Sequence, residues 1–396
     1  MLRAMAETPT VFVLGLTATG LAVARDVAPH GWRVIGVDAD RTRPGCYSRH
    51  VHELPNLSRL PLGLALVDAL LDAADRLPQA PIVVPAADDA VQWCITHRKT
   101  LEPRVRLSQG LVAQRAGVLL DKSLFGQRCA ELGLDVPLTV QPASIADVHD
   151  FVAQAGLPCI VKPRAGHLWR QRLRGQKLLV PQTLAELETA LRDVIGDVSS
   201  VVLQELVPGP ESNLLVAAVL AAETGGVKSV LTGRKIRQFP RNFGSGSLVR
   251  SESLPDVAQQ SADIIERLDY RGLCGTEFKL DPRSGRLRLI EINPRPTLWY
   301  DLCRAAGTHL VWAHVQELAG FSPDVPAPQR DGVTWRYLVR DGLALAGAGP
   351  AALLASLREV PADTDAVFAW DDPLSGAASL GHAAFQAASH LKPGHK

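Results

Sequence analysis

Residues Thr10 to Gly15, TVFVLG, form a short apolar, β-rich run that ends in glycine; Leu16 to His30 have helical character, and GWRVIGVDAD returns to strand. This βαβ opening commits the start of the chain to an α/β fold. The pattern continues through a Leu/Ala/Asp helix near residues 62–76, the strand APIVVPA and a helix containing Ala90 to Lys99, so residues 1–115 read as one N-terminal α/β domain. Beyond it Asp121 to Leu132 is helical and Pro137 interrupts. A helix over 144–155, the strand PCIVKP, a polar Arg/Gly loop, the strand QKLLV, a helix over 183–194 and the strand SVVLQELV follow.

These last elements make a small lobe at about residues 125–205, and a cleft between lobes is expected. A larger, mainly β lobe of about 206–330 carries strands around LLVAAVLA, VKSVLTGRKI and GLCGTEFKL, the turn DPRSG and the strand RLRLIEI, with one helix at 255–269. The two lobes together form a domain over 116–330. In the C-terminal segment 331–396 Pro and Gly become frequent, GLALAGAGPAALLASL reads as a helix pair or a loop and helix, and no chemistry is assigned. The expected class is α/β with α+β lobes.

The chain's 396 residues exceed one ordinary core, which favours several domains. With 46% hydrophobic and 21% charged residues the composition is globular, and no apolar run approaches the roughly 18 residues that cross a bilayer. The opening MLRAMAETPT has one Arg and no apolar h-region, so a secretory signal is not expected and cytoplasm is the default. Six scattered cysteines without a C-x-x-C pair argue against a disulfide framework or zinc ribbon. Forty-two Lys plus Arg against forty-one Asp plus Glu give a net charge of +1, which supplies no reason to expect nucleic acid or a membrane surface as partner. Small-molecule substrates remain, and a homodimer is compatible with this composition.

The strongest local signal is Gly275 to Arg295, GTEFKLDPRSGRLRLIEINPR, in which Asp281, Pro282 and Gly285 mark a turn between two strands. With Leu280 opposite Arg286, Glu277 lies across from Leu289 and shares a face with Glu291 and Asn293. Two carboxylates and an amide oxygen suit a hard cation such as magnesium, with manganese as a substitute. The competing reading puts Glu277 and Glu291 on the solvated face of a hairpin. Against it, Ile290 and Ile292 flank Glu291 in an apolar strand.

Lys162 ends the strand CIVKP, Lys122 follows Asp121 at a helix start, and Lys235 and Arg237 lie in GRKIRQ. A lysine at the end of a buried strand is placed to reach a triphosphate; a side chain snorkelling to water is the ordinary alternative. The loop Arg164 to Lys177 combines Gly166 and Gly175 with Arg164, His167, Arg170, Arg172 and Arg174, and suits either a lid over phosphates or a solvated basic loop. In VVLQELVPGPES, Gln204 and Glu205 precede Leu206 and Val207, and the turn Pro208-Gly209-Pro210 precedes Glu211. Such a hinge can bond an adenine edge through its backbone while Glu211 reaches ribose hydroxyls, or it is a plain strand and turn.

In order and rough spacing, Lys122, the VKP of Lys162, QELVPG at 204–209, Glu277 and EINPR at 291–295 resemble the ATP-grasp superfamily over about residues 115–300, and the βαβ opening resembles the Rossmann-like domain that precedes it. The resemblance implies an ATP-grasp architecture with ATP and magnesium as cofactors. By it Lys122 and Lys162 bind phosphates, Gln204, Glu205 and the Leu206 and Val207 backbone meet adenine, and Glu211 meets ribose. Glu277, Glu291 and Asn293 would hold the metal, and Arg295, Lys235 and Arg237 would serve the reacting centre. GRKIRQFP and the distal DDPLSG further resemble the carboxylate–amine ligases that include D-aspartate ligase. The loop RAGHLWRQRLRGQK departs from that family's small, Gly-rich lid at His167 and Trp169, so lid contacts are not carried over.

Other motifs do not fit. GLTATG at 15–20 lacks the G-x-G-x-x-G spacing and leaves Asp38 as weak support for a nicotinamide site; there is no P-loop or G-x-S-x-G elbow, and His50, His52 and Cys46 match no zinc spacing. The expected reaction is attack of a substrate carboxylate on the γ-phosphorus of ATP, then attack of an amine on the acyl phosphate. Arg295 would grip the carboxylate, the alternative being an ion pair to Glu277 or Asp301. The rivals are a carboxylase that phosphorylates bicarbonate and a non-catalytic nucleotide- or dinucleotide-binding regulator.

Overall fold

The computed structural model describes residues 8–163, 178–356 and 362–381. The basic loop 164–177 singled out above lies outside the described residues. Strands β1 (Thr10–Leu14), β2 (Arg33–Val37) and β3 (Ile82–Pro85) form a parallel sheet in the order β2-β1-β3. β1 is buried along its length, as a central parallel strand must be, and its sequence is correspondingly an unbroken apolar run. The helix Ala18–Val27 starts on Thr17, whose hydroxyl accepts from the Thr19 N–H at 3.3 Å, and every one of its residues is buried. It packs on the sheet and also on the helices Asp301–Ala305 and Leu310–Leu318. Gly20 permits this: a Cβ there would stand 2.0 Å from the Gly15 carbonyl oxygen.

The chain divides into two compact units. The larger comprises the described residues of 1–120, 210–277 and 292–396, the smaller those of 121–209 and 278–291. In the smaller unit β4 (Thr139–Val140), β5 (Cys159–Pro163) and β6 (Val201–Glu205) make an antiparallel sheet in the order β4-β6-β5. Cys159, Val161, Val201 and Leu203 pack with Val148, Phe151 and Leu187 of the helices Ile145–Ala155 and Leu184–Thr189. Strand alternation therefore turns Lys162 and Gln204 to the opposite face. The helix Ile145–Ala155 begins in a reciprocal capping box between Ser144 and Asp147.

The remaining strands are β7 (Leu214–Ala221), β8 (Val227–Phe239), β9 (Ser245–Ser251), β10 (Gly272–Leu280), β11 (Leu287–Asn293), β12 (Thr334–Arg336) and β13 (Thr364–Asp365). They form one sheet in the order β11-β10-β7-β8-β9-β12-β13. The segment 238–247, which reads as a loop, is in fact the end of β8, a connection with Asn242 in the left-handed region (φ 71°), and the start of β9. The helix Pro255–Arg267 lies against β7 and β8 and turns Val257, Ser261, Ile264 and Ile265 inward. Helices Leu338–Ala348 and Pro350–Ser356 follow as a pair.

A single hydrophobic core joins the N-terminal sheet to β7, β8 and β9: Val11, Val13 and Leu21 connect through Trp299, Tyr300 and Leu310 to Val216, Leu231, Val249 and Trp335. The helix Leu310–Leu318 at its centre is buried from Leu310 to Gln316, which erases the amphipathic period that would reveal it in the sequence. No helix of the described residues is long and apolar enough to cross a membrane.

The distal segment is tied to the N-terminal helix by a buried ion pair. Asp372 accepts from Arg25 Nη2 at 3.2 Å, from Ser48 Oγ at 2.8 Å and from the Arg49 N–H at 2.9 Å, and Arg25 Nη2 also donates to the Val367 carbonyl at 2.9 Å. Burial opposes ionisation of Asp372, but the Arg49 N–H, Ser48 and Arg25 outweigh it and hold the carboxyl below its ordinary range. We expect Asp372→Ala to strand the Arg25 charge and lower stability by about 3 kcal/mol, read from the urea midpoint. The wild-type contribution is complete above the unfolded carboxylate's pKa of ~3.9 and is lost as pH falls through the depressed folded value, so the variant should lack that part of the acid sensitivity.

Candidate active site

In the smaller unit, the candidates cluster on the face of β5 and β6 turned away from the local core. Lys162 Nζ donates to Gln204 Oε1 at 2.7 Å, and Gln204 Nε2 donates to Thr139 Oγ1 at 3.1 Å. An ammonium fixed by a neighbouring strand is aimed before any anion arrives. Lys122 is exposed at the first turn of the helix Lys122–Glu131, whose N-cap Asp121 accepts from the Ser123 and Leu124 N–H groups at 2.8 and 3.0 Å. Beyond β6, Leu206 is half-buried and Val207 buried.

Glu205 is engaged in a way the sequence does not announce. Its Oε1 accepts from Arg283 Nη2 at 2.8 Å, and its Oε2 accepts from Arg288 Nη2 at 3.1 Å and from the Leu138 N–H at 3.2 Å. Burial resists ionisation, but the Leu138 N–H and the two guanidinium groups outweigh it, so the carboxyl titrates below its ordinary range. Asp135 joins the cluster through Arg286 at 2.8 Å and Arg288 at 2.7 Å.

The turn of the β10–β11 hairpin corrects the expected register. The Asp281 N–H donates to the Arg286 carbonyl at 2.9 Å and the strands end at Leu280 and Leu287, so Leu280 does not face Arg286. Asp281 is the cause: its carboxylate accepts from the Arg283 N–H at 2.9 Å and from the Arg283 guanidinium, which folds the turn back on itself. Along β11 Leu289 and Ile292 are buried while Glu291 is exposed and Asn293 half-buried, so regular alternation does not hold. The metal assignment of Glu277, Glu291 and Asn293 thus rests on the order of the motif and not on the hairpin register.

In the larger unit Glu211 lies in the turn Glu211–Asn213, and its two oxygens accept from the Gln238 and Asn242 N–H groups at 3.2 and 2.6 Å. Lys235, on β8 and only 4% exposed, donates to Glu277 Oε2 on β10 at 2.6 Å. Arg237, two residues on, grips Asp341 with two bonds of 2.9 and 2.8 Å, and Ser247 Oγ adds a third bond to that carboxylate at 2.9 Å. Asp341 comes from the helix Leu338–Ala348, in a segment to which the sequence assigns no chemistry. The signal that could have found it is a lone acid in the apolar helix pattern YLVRDGLALAG, since a buried carboxylate requires a partner.

Arg295 follows a tight turn in which its N–H donates to the Asn293 carbonyl at 2.8 Å. Its guanidinium donates to Asp88 Oδ1 at 2.6 Å and to the Pro296 carbonyl at 3.0 Å. The partner is therefore neither Glu277, which is held by Lys235, nor Asp301, which is held by Arg304 and Thr364. Asp88 opens the helix Asp88–Leu101 and is exposed. Among the described residues no three His, Cys, Asp or Glu side chains could hold a metal ion by themselves. Magnesium beside a nucleotide needs only one or two protein carboxylates, with phosphate oxygens and water filling the shell. Each unit taken by itself carries a fixed cation whose charge suits an anionic magnesium nucleotide, Lys162 on β5 in the smaller and Lys235 beside Glu277 in the larger.

Residues 245–316 match the family model of the carbamoyl-phosphate synthase L chain, ATP binding domain. The chain is 25% identical to D-aspartate ligase of Enterococcus faecium over 186 residues, 45% of this chain and 44% of that one. It is 27% identical to the carbamoyl phosphate synthase large chain of Methanosarcina barkeri over 185 residues, 44% of this chain and 16% of that one. The chain thus spans less than half the length of these relatives. Among solved structures it resembles N5-carboxyaminoimidazole synthetase from Staphylococcus aureus complexed with ADP, with a TM-score of 0.65 at 16% identity over 86% of this chain and 85% of that one. It also resembles biotin carboxylase from Campylobacter jejuni, with a TM-score of 0.59 at 14% identity over 84% and 75%. The order of the motifs, the sheet arrangement and these likenesses agree in supporting the ATP-grasp superfamily.

Proposed function

We propose that the chain is an ATP- and magnesium-dependent ligase that activates a carboxylate as an acyl phosphate and couples it to an amine. The observation that carries this reading is the Lys235–Glu277 pair, a nearly fully buried ammonium held at 2.6 Å on a carboxylate, with Arg237 fixed beside it in the same strand. Buried, preorganised cations of this kind stabilise charge on a transferring phosphoryl group without reorganising during the reaction. In this reading Lys122 and Lys162 hold phosphates, the backbone at Leu206 and Val207 meets the base with Gln204 and Glu205 supporting it, and Glu211 meets ribose. Glu277, Glu291 and Asn293 would hold magnesium, which neutralises phosphate charge when bound. In chain order, 116–330 would be the ATP-grasp domain and 1–115 its preceding domain. Six unpaired cysteines, five of them buried, support a reducing cytoplasmic setting.

Arg295 orients the substrate carboxylate toward phosphorus through two parallel hydrogen bonds, then stabilises the oxyanion formed as the amine attacks. Lys235 and Arg237 neutralise the departing oxygens. No protein nucleophile is needed, and burial pushes the Cys274 thiol above its ordinary range, which makes it a poor one. The likeness to D-aspartate ligase supports an amine as acceptor; bicarbonate-dependent ADP release without any added carboxylic acid would favour the carboxylase alternative. A dinucleotide regulator is disfavoured because Asp38 Oδ2 accepts from the Leu16 N–H at 2.7 Å, using a donor of the first βα turn that a pyrophosphate would need. Screening paired carboxylic acids and amines for ADP release tests the reading.

Three outcomes are expected. Glu291→Gln should fold, because the side chain is exposed, yet lose at least about tenfold in turnover at limiting magnesium; near-wild-type ADP release would remove the metal role. Lys162→Ala should raise the ATP KM and slow turnover by about tenfold, or ~1.4 kcal/mol of transition-state stabilisation, and unchanged kinetics would reduce it to a surface lysine. Arg295→Lys should keep ATP affinity and melting temperature but lose most ligation, since a point charge cannot hold a carboxylate bidentately. Wild-type ligation with saturating substrates would leave Arg295 only its pair with Asp88.

A further inference from the structure

Three arginines of the hairpin 278–291 and three carboxylates of the same unit are matched one to one in charge. Arg283 pairs with Asp281 at 2.7 Å and with Glu205 at 2.8 Å, Arg286 with Asp135 at 2.8 Å, and Arg288 with Asp135 at 2.7 Å and Glu205 at 3.1 Å. Arg288 Nη2 also donates to the Val136 carbonyl at 2.6 Å, the Leu289 N–H to the Asp135 carbonyl at 2.7 Å, and Lys279 Nζ to the Gly209 carbonyl at 2.9 Å. A cluster so balanced has no surplus positive charge for phosphates. What it does is fix the segment 205–209 at both ends, Glu205 by its side chain and Gly209 by its carbonyl.

Resting on the ATP-binding reading above, we propose that Arg283 and Arg288 are positioning residues for base recognition: they withdraw the Glu205 carboxylate from the base and leave the backbone beyond it as the reader. The chemistry decides which base benefits. Adenine offers an amino donor beside a ring acceptor and so matches a backbone carbonyl and N–H in succession. A carboxylate only accepts, and guanine presents two adjacent N–H donors on its Watson–Crick edge, a pairing that a freed Glu205 would welcome. Both Glu205 oxygens are engaged by guanidinium groups, and its side chain is only 13% exposed. The clip therefore acts on specificity by removing a wrong acceptor as well as by placing the right groups. Since the same hairpin carries Glu291, the base-reading segment and that candidate metal residue belong to one compact unit.

The test is calorimetric binding of ATP and of GTP, each with magnesium chloride, to the full chain and to Arg283→Ala and Arg288→Gln. The expected result is a loss of ATP affinity of tenfold or more together with at least a tenfold fall in the preference for ATP over GTP. A purely structural clip would lower the melting temperature and leave the ATP-to-GTP ratio unchanged, and that outcome overturns the proposal. Arg283 is about half exposed (52%), so Arg283→Ala decides the matter alone if Arg288→Gln does not fold. Wild-type protein that binds neither nucleotide would overturn the ligase reading and this proposal with it. Wild type that binds ATP while both variants keep its affinity and ratio would overturn this proposal only.

Discussion

A buried cation must have a carboxylate within hydrogen-bond reach, and much of this molecule is arranged to meet that condition. Leaving one charge of such a pair alone in the interior costs about 3–5 kcal/mol, a large share of the total stability of an ordinary domain. Lys235 meets Glu277 across the large sheet, Arg237 meets Asp341 from a distal helix, and Arg25 meets Asp372. Each pair joins strands or helices far apart in the chain, so the distal segment is held by electrostatics as well as by the apolar core containing Trp335 and Val367. The residues proposed to work on phosphate are thereby kept rigid by neighbours that have no part in the chemistry.

Apolar burial explains why one compact unit takes in residues from both ends of the chain. The helix Ala18–Val27 is buried on all sides and finds cover both on its own sheet and on Leu302, Leu310 and Val311. Once it is sandwiched, Arg25 at its last turn is interior too; Asp372 and Ser375 accept from it, and Ser48 donates to Asp372. Apolar burial comes first here and dictates where the charges pair.

What could be read in the sequence was what is local. The strand PCIVKP, a short apolar run between prolines, and the helix over 144–155, which opens on a capping box, are local features and stand where expected. The helix Leu310–Leu318 was illegible because its burial leaves no polar stripe, and β9 because its glycines and serines imitate a loop. The candidate Lys, Arg and Glu positions were legible through motif order, whereas their partners were not: Asp341 lies 104 positions from Arg237, Asp88 207 from Arg295, and Glu205 83 from Arg288. No periodicity carries information over such separations. The hairpin register failed for a smaller reason, the preference of Asp281 for its own turn over a strict two-residue repeat.

The candidate cations differ in how readily they can change partner, and the difference sorts their roles. Arg237 is gripped bidentately by a carboxylate that is 2% exposed, so an incoming anion would have to leave Asp341 charged and alone in the interior. That makes Arg237 a fixed source of positive potential. Arg295 meets only one oxygen of Asp88, a side chain 60% exposed at the start of a helix. Water and the helix N-terminus can both receive Asp88 once it is released, so exchanging it for another carboxylate costs little. A group that must take up and give up a carboxylate in each cycle needs a partner of this replaceable kind. On that ground Arg295, and not Arg237, is the residue we propose for the reacting carboxyl group.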